Sequence, residues 1–156
     1  MTPVKLNTVV VRGYNDQDVA SMAGLTAEHP WQMRFIEMMP FAGATELQQS
    51  SVVSQSEVIG LIEAAHGKLE EVNPGQLDGE ARIFRIPGAK GELGFISSVS
   101  LPFCASCSRA RLTSDGKLRL CLLREKEVDL LTPLRAGATI EDLRELVERL
   151  DRKSVV

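Results

Sequence analysis

The chain has 156 residues, 44% of them hydrophobic and 25% charged, and carries a formal net charge of −3 at pH 7. This is the composition of a soluble globular protein with room for one ordinary domain or two small ones, and no apolar run approaches the roughly 18 residues of a membrane-spanning helix. The opening "MTPVKLNTVV" has no basic segment followed by a cleavable apolar stretch, so a cytoplasmic location is expected. The acidic balance gives no general reason to expect nucleic acid or a membrane as partner, which leaves any anion binding to a local basic cluster.

"PVKLNTVVV", residues 3 to 11, is β-branched and apolar and reads as a strand buried on both faces, as in parallel sheets. Lys5 interrupts the run. Alternation puts Lys5 and Asn7 on one face and Val4 and Leu6 on the other, and a lysine in this place either serves a ligand or snorkels to solvent at a sheet edge. After "RGYN", Asn15 is placed to cap a short helix, with Asp18 three residues on.

"WQMRFIEMMP", residues 31 to 40, is the next strand, stopped by Pro40. Arg34 and Glu37 lie inside its apolar frame and are candidates for a structural ion pair, although alternation sets them on opposite faces. Met38 and Met39 would ordinarily fill a core. Ser54 followed by Glu57 is a capping-box signature, "VIGLIEAAH" has helical spacing, and Gly67 is placed to end that helix. The chain to this point reads β-α-β-α.

From about residue 67 the texture changes to short strands punctuated by Gly, Pro and Asp: "GKLEEV", "ARIFRI", "ELGFISSVS", then "ARLT" and "KLRLCL" across "SDG". This half is expected to be antiparallel. "PGAKGELG" lacks the spacing and the Ser/Thr of a phosphate-binding loop and reads as a turn. A last helix, "TIEDLRELVERL", opens with Thr139 and Asp142 in capping-box relation and places Ile140, Leu143, Val147 and Leu150 on one stripe.

All three cysteines, Cys104, Cys107 and Cys121, fall within "PFCASCSRARLTSDGKLRLC". Three thiols cannot pair off as disulfides, and C-x2-C closes too short a loop for an ordinary structural bridge. The hairpin with Asp115 and Gly116 at its tip folds Cys121 back toward the other two, which suits a metal centre. Zinc would need a fourth ligand, and His29 and His66 lie far upstream; an iron–sulfur cluster on three thiolates keeps one iron open for another ligand. Buried apolar cysteines and a redox dithiol are the competing readings. Arg109 and Arg111, two apart on an expected strand, project from one face beside the cysteines, where guanidinium forks suit phosphate oxygens, unless they are simply solvated.

With these residues in view, "VKLNTVV", "RFIEMMP", "ISSVSLPFCASCSRARLTSDGKLRLCL" and "DLLTPLRAG" resemble, in order and spacing, the C-terminal half of the molybdenum cofactor biosynthesis protein A family, the radical S-adenosylmethionine GTP 3',8-cyclases. The resemblance runs from residue 3 to about 150. It implies an α/β fold: the last β-α units of an incomplete TIM-type barrel over residues 1–66, then a small antiparallel α+β domain over 67–156 carrying a second 4Fe-4S cluster and a GTP site. It implies that Cys104, Cys107 and Cys121 ligate that cluster, whose open iron holds the guanine base; that Lys5, Arg109, Ala110 and Arg111 contact GTP; and that Met39, with Arg34 on the same strand, contacts S-adenosylmethionine. The implied reaction is that of a lyase in molybdenum cofactor synthesis, converting GTP to (8S)-3',8-cyclo-7,8-dihydroguanosine 5'-triphosphate. No catalytic residue is assigned.

The chain contains no C-x3-C-x2-C motif, so the expected partners are GTP and a separate N-terminal radical S-adenosylmethionine half, with a second copy of the chain as a further candidate, and the chain alone is expected to be inactive. It ends "LDRKSVV" rather than in the Gly-Gly of the family, which adds to that expectation. Two rivals come from other classes. A zinc-binding module could set Arg109 and Arg111 on nucleic-acid phosphates, against which stand the net acidity and the scarcity of aromatic residues; an electron-transfer protein would need a fourth cluster ligand.

Overall fold

The computed structural model describes residues 3–39, 50–102, 109–121 and 126–152, without the side chains of 150–152. These residues fall into two compact units, the first up to residue 102 and the second from residue 109.

The first unit is built on β1 (Val4–Val10), α1 (Val19–Glu28), β2 (Trp31–Glu37), α2 (Gln55–His66), β3 (Glu70–Val72), β4 (Arg82–Arg85) and β5 (Glu92–Ile96). Its strands form a single mixed sheet in the order β1-β2-β5-β4-β3. β2 pairs in parallel with β1 on one side and with β5 on the other, while β3, β4 and β5 pair antiparallel. Strands on either side of residue 67 therefore share one sheet, and the antiparallel expectation holds for β3 and β4 but not for β5 along its edge with β2.

Alternation along these strands decides what is buried. Val10, Met33, Phe35, Leu93 and Phe95 face one side and pack with Val19 and Ala23 of α1 and with Val58 and Ile62 of α2 in one core cluster. Phe95 is its centre, stacked on Phe35 at 5.9 Å and edge-on to Phe84 at 5.3 Å. The helices pack against each other. His66 closes that contact, its Nε2 lying 2.8 Å from the carbonyl of Ala20, while His29 stacks on Trp31 at 4.1 Å.

Two expectations are corrected in β1. The strand is not buried on both faces: it is the edge of the sheet, and Val4 and Val9 are 44% and 45% exposed. Asn15 does not cap a helix; its Oδ1 accepts from the Val11 amide at 2.8 Å and its Nδ2 donates to the Val9 carbonyl at 2.9 Å. A short amide side chain that reaches back to the strand is lost to capping, because the two uses compete for the same atoms.

The capping box of α2 forms as its sequence demands. Glu57 N donates to Ser54 Oγ at 3.3 Å, Ser54 N donates to Glu57 Oε2 at 3.0 Å, and the helix ends at Gly67, where φ is +83°. Arg12 Nη2 adds an ion pair to Glu57 at 2.6 Å.

The second unit contains β6 (Arg111–Leu112), β7 (Lys117–Arg119), β8 (Glu127–Asp129), α3 (Leu131–Arg135) and α4 (Ile140–Arg152). Its strands form an antiparallel sheet in the order β6-β7-β8, with the expected hairpin across Asp115 and Gly116. Thr139 and Asp142 form their capping box, Thr139 N donating to Asp142 Oδ2 at 2.8 Å. Ile140, expected on the apolar stripe, is 84% exposed. Side chains lean toward a helix's N-terminus, so that of the first helical residue projects past the end of the packed face. None of this unit's described residues is buried.

Three outcomes follow for stability. Phe95→Ala should cost about 3–5 kcal/mol in urea unfolding, the range for emptying an aromatic core site. Ser54→Ala should cost about 1 kcal/mol. Glu57 is lowered from 4.5 to about 2, by the Ser54 backbone hydrogen bond first and then by Arg12 and the Ser54 side chain. Its stabilising contribution is therefore complete above about 4.5 and fades as the pH falls toward about 2. Unfolding curves of Glu57→Gln should lack that part of the acid dependence.

Candidate functional site

The sheet face opposite the helices carries charge. In register, Lys5 lies beside Gln32 and Gln32 beside Glu92; in the next row Asn7 lies beside Arg34 and Arg34 beside Gly94. The gap left by Gly94 is used, because a Cβ there would come within 2.9 Å of Arg34 Cγ. Arg34 therefore lies across the sheet, its side chain only 12% exposed.

Asp78, on the loop between β3 and β4, joins these rows. Its backbone is fixed by paired bonds to Ala81, at 2.9 and 3.2 Å. Its carboxylate accepts from Lys5 Nζ at 2.8 and 3.2 Å and from Arg34 Nη2 at 2.7 Å, so one oxygen is shared by both cations. Arg34 Nε donates to Gln32 Oε1 at 2.6 Å, Gln32 Nε2 donates to Glu92 Oε2 at 3.3 Å, and Arg85 pairs with Glu92 at 2.8 Å. The Lys5 hydrogen bond, opposed by burial and helped by Gln32 and Arg34, holds the Asp78 carboxyl below its ordinary range.

Lys5, part-exposed on the edge strand, is thus paired with Asp78, and Arg34 pairs with Asp78 rather than with Glu37. Glu37 points to the helix side, 4% exposed, and accepts from the amides of Gln55, Val99 and Ser100, each at 2.9 Å, and from the Ser100 hydroxyl. Burial pushes its carboxyl up, but these hydrogen bonds outweigh it and hold the group below the ordinary range. One buried carboxylate therefore ties the end of β2 to the start of α2 and to the segment after β5. Ser97 donates to Gln55 beside it.

The remaining candidates are more scattered. Met39 is half-buried just past β2. Arg109 and Ala110 are exposed and precede β6, so the expectation that Arg109 and Arg111 lie on one strand does not hold; the strand starts at Arg111, itself exposed and paired in register with Arg119. Arg119 is occupied by Glu127 at 2.7 Å. Cys121 is half-buried two residues beyond β7, while Cys104 and Cys107 lie outside the described residues. Among the described residues no three potential metal ligands come together. Asp78 and Gln32 were missed by sequence reasoning: "QLDGEA" looks like any polar turn, and a glutamine in a strand carries no chemical signature.

Comparison with known proteins identifies the family. A family profile described as Molybdenum Cofactor Synthesis C matches residues 31–154. The chain belongs to this family. It is 46% identical over 149 residues to a protein of Gloeobacter violaceus named GTP 3',8-cyclase, 44% identical over 149 residues to one of that name from Trichodesmium erythraeum, and 39% identical over 150 residues to one from Desulforamulus reducens. These alignments cover 95–96% of this chain but only 45–46% of the relatives, so the chain spans about half the length of the curated proteins it matches.

The Glu37 tie can be tested directly. Glu37→Gln turns an amide donor toward backbone N–H groups and should cost about 1–3 kcal/mol in urea unfolding, the penalty for buried groups left without partners. Glu37→Asp, which keeps the charge and shortens the reach, should cost less.

Proposed function

We propose that this chain is the C-terminal portion of a GTP 3',8-cyclase of molybdenum cofactor synthesis, and that it binds a 4Fe-4S cluster and GTP. The observation that carries the reading is the identity of 39–46% to proteins of that name over nearly the whole chain. The parallel run β1-β2-β5 with helices on one face is what the end of an incomplete β/α barrel would look like.

The donor set fits the cluster. Cys104, Cys107 and Cys121 supply three soft thiolates, the described one is half-buried just past a hairpin strand, and a small unit whose described residues are all at least partly exposed is of the kind that a metal centre stabilises. When bound on three thiolates, the cluster supplies an iron coordination site that the guanine base can occupy.

The chain's own residues supply charge and position. Lys5, Arg109, Ala110 and Arg111 are assigned to GTP; the lysine and the two arginines are exposed, and such cations donate charge-assisted hydrogen bonds to phosphate oxygens. Met39 and Arg34 are assigned to S-adenosylmethionine. With all three cysteines used, reductive cleavage of S-adenosylmethionine is left to a C-x3-C-x2-C segment that this chain does not contain.

The test is a GTP titration of the anaerobically reconstituted chain and of the same chain stripped of iron. GTP should bind only with iron present, Arg111→Ala should weaken it about tenfold or more, as expected for a charge-assisted bond, and no product should form with S-adenosylmethionine and a reductant. Equal binding without iron would overturn the cluster–GTP reading, and product from this chain alone would overturn the division of labour.

A further inference from the structure

The carboxylate of Asp78 stands where an incoming anion would stand. Its Oδ2 is 2.8 Å from Lys5 Nζ and 2.7 Å from Arg34 Nη2, the position an oxyanion bridging these two cations would take. The Arg34 guanidinium is also held by Gln32 and is largely buried, so it cannot turn to solvent if Asp78 leaves; without a replacement anion its charge would be desolvated and unpaired. Lys5 and Asp78 are 39% and 42% exposed, so the loop side of the trio is open to a ligand. Two cations against one carboxylate leave the trio positive, and it still attracts anions.

We propose that Asp78 is a specificity-determining residue, an internal counter-anion that a ligand must displace or outbid to reach Lys5 and Arg34, so that the site accepts polyphosphate and rejects weaker anions. The proposal rests on the reading of Lys5 as a phosphate contact, and it moves Arg34, which shares the Asp78 oxygen with Lys5, from S-adenosylmethionine to the same phosphate. It follows from the cost of the exchange: a ligand that replaces a well-placed carboxylate with a single weakly charged group gains nothing, whereas several adjacent phosphate charges pair both cations and gain further attraction at once. Specificity then comes from a repulsive and competing element as much as from the attractive ones.

The test is equilibrium binding of tripolyphosphate and of orthophosphate to the full chain and to Asp78→Asn, Lys5→Met and the double variant, with circular dichroism confirming the fold. Asp78→Asn should bind both anions more tightly, orthophosphate by about tenfold and tripolyphosphate by less, so that discrimination narrows. The gain should vanish in the double variant, which a merely structural role for Asp78 would not produce. Unchanged or weaker binding in Asp78→Asn, a gain that survives Lys5→Met, or no anion binding in any variant would overturn the proposal. Should Asp78→Asn fail to fold, Asp78→Ser is held to the same outcomes. GTP titrated in parallel onto the anaerobically reconstituted, iron-loaded chain separates the two readings: the expected tripolyphosphate pattern without GTP binding leaves Asp78 as the selector and removes GTP as its ligand.

Discussion

Successive residues of a strand face opposite sides of its sheet, and this one constraint on β2 organises the first unit. Met33, Phe35 and Glu37 point to the helices; Gln32, Arg34 and Ile36 point away. The first set builds the core and, through Glu37, ties the segment after β5 to the start of α2. The second set lays Arg34 across Gly94 to meet Lys5 and Asp78. A shift of one residue in the register of β2 would exchange the two faces, burying a guanidinium among phenylalanines and stranding the carboxylate that holds the loop. Stability and the candidate anion site are thus set by the same seven residues.

The second unit has a different physical character. It has no described buried residue and holds together through hairpin turns, a capping box and surface ion pairs such as Lys117–Glu127 at 2.7 Å. Exposed pairs of that kind contribute little each. A unit stabilised so weakly by its own described contacts is a natural host for a centre that cross-links its segments, which agrees with three cysteines gathered in an otherwise cysteine-free chain.

Much of this was legible in the sequence, and the reasons are local. Capping boxes at Ser54/Glu57 and Thr139/Asp142, the stop at Gly67 and the hairpin at Asp115–Gly116 depend on neighbouring residues, so they could be read from spacing alone. The partnerships of Lys5, Arg34 and Glu37 could not. Lys5 and Asp78 are 73 residues apart, and Glu37 and Ser100 are 63 apart; pairing over such separations is decided by strand order. The parallel edge between β2 and β5 was hidden for the same reason, because short strands after Gly and Pro look alike whether they pair with a neighbour or with a strand far upstream. Val4 and Val9 misled in the opposite way: apolar and β-branched, they read as buried, and only the position of β1 at the sheet edge leaves them exposed.

The role proposed for the second unit turns on what the three cysteines hold. The decisive measurement is iron, acid-labile sulfide and zinc per chain after anaerobic purification and reconstitution. About four irons and four sulfides per chain is the predicted result, with iron incorporation lost in Cys121→Ser. About one zinc per chain without sulfide would contradict the cluster and, with it, the assignment of the guanine base to an open iron.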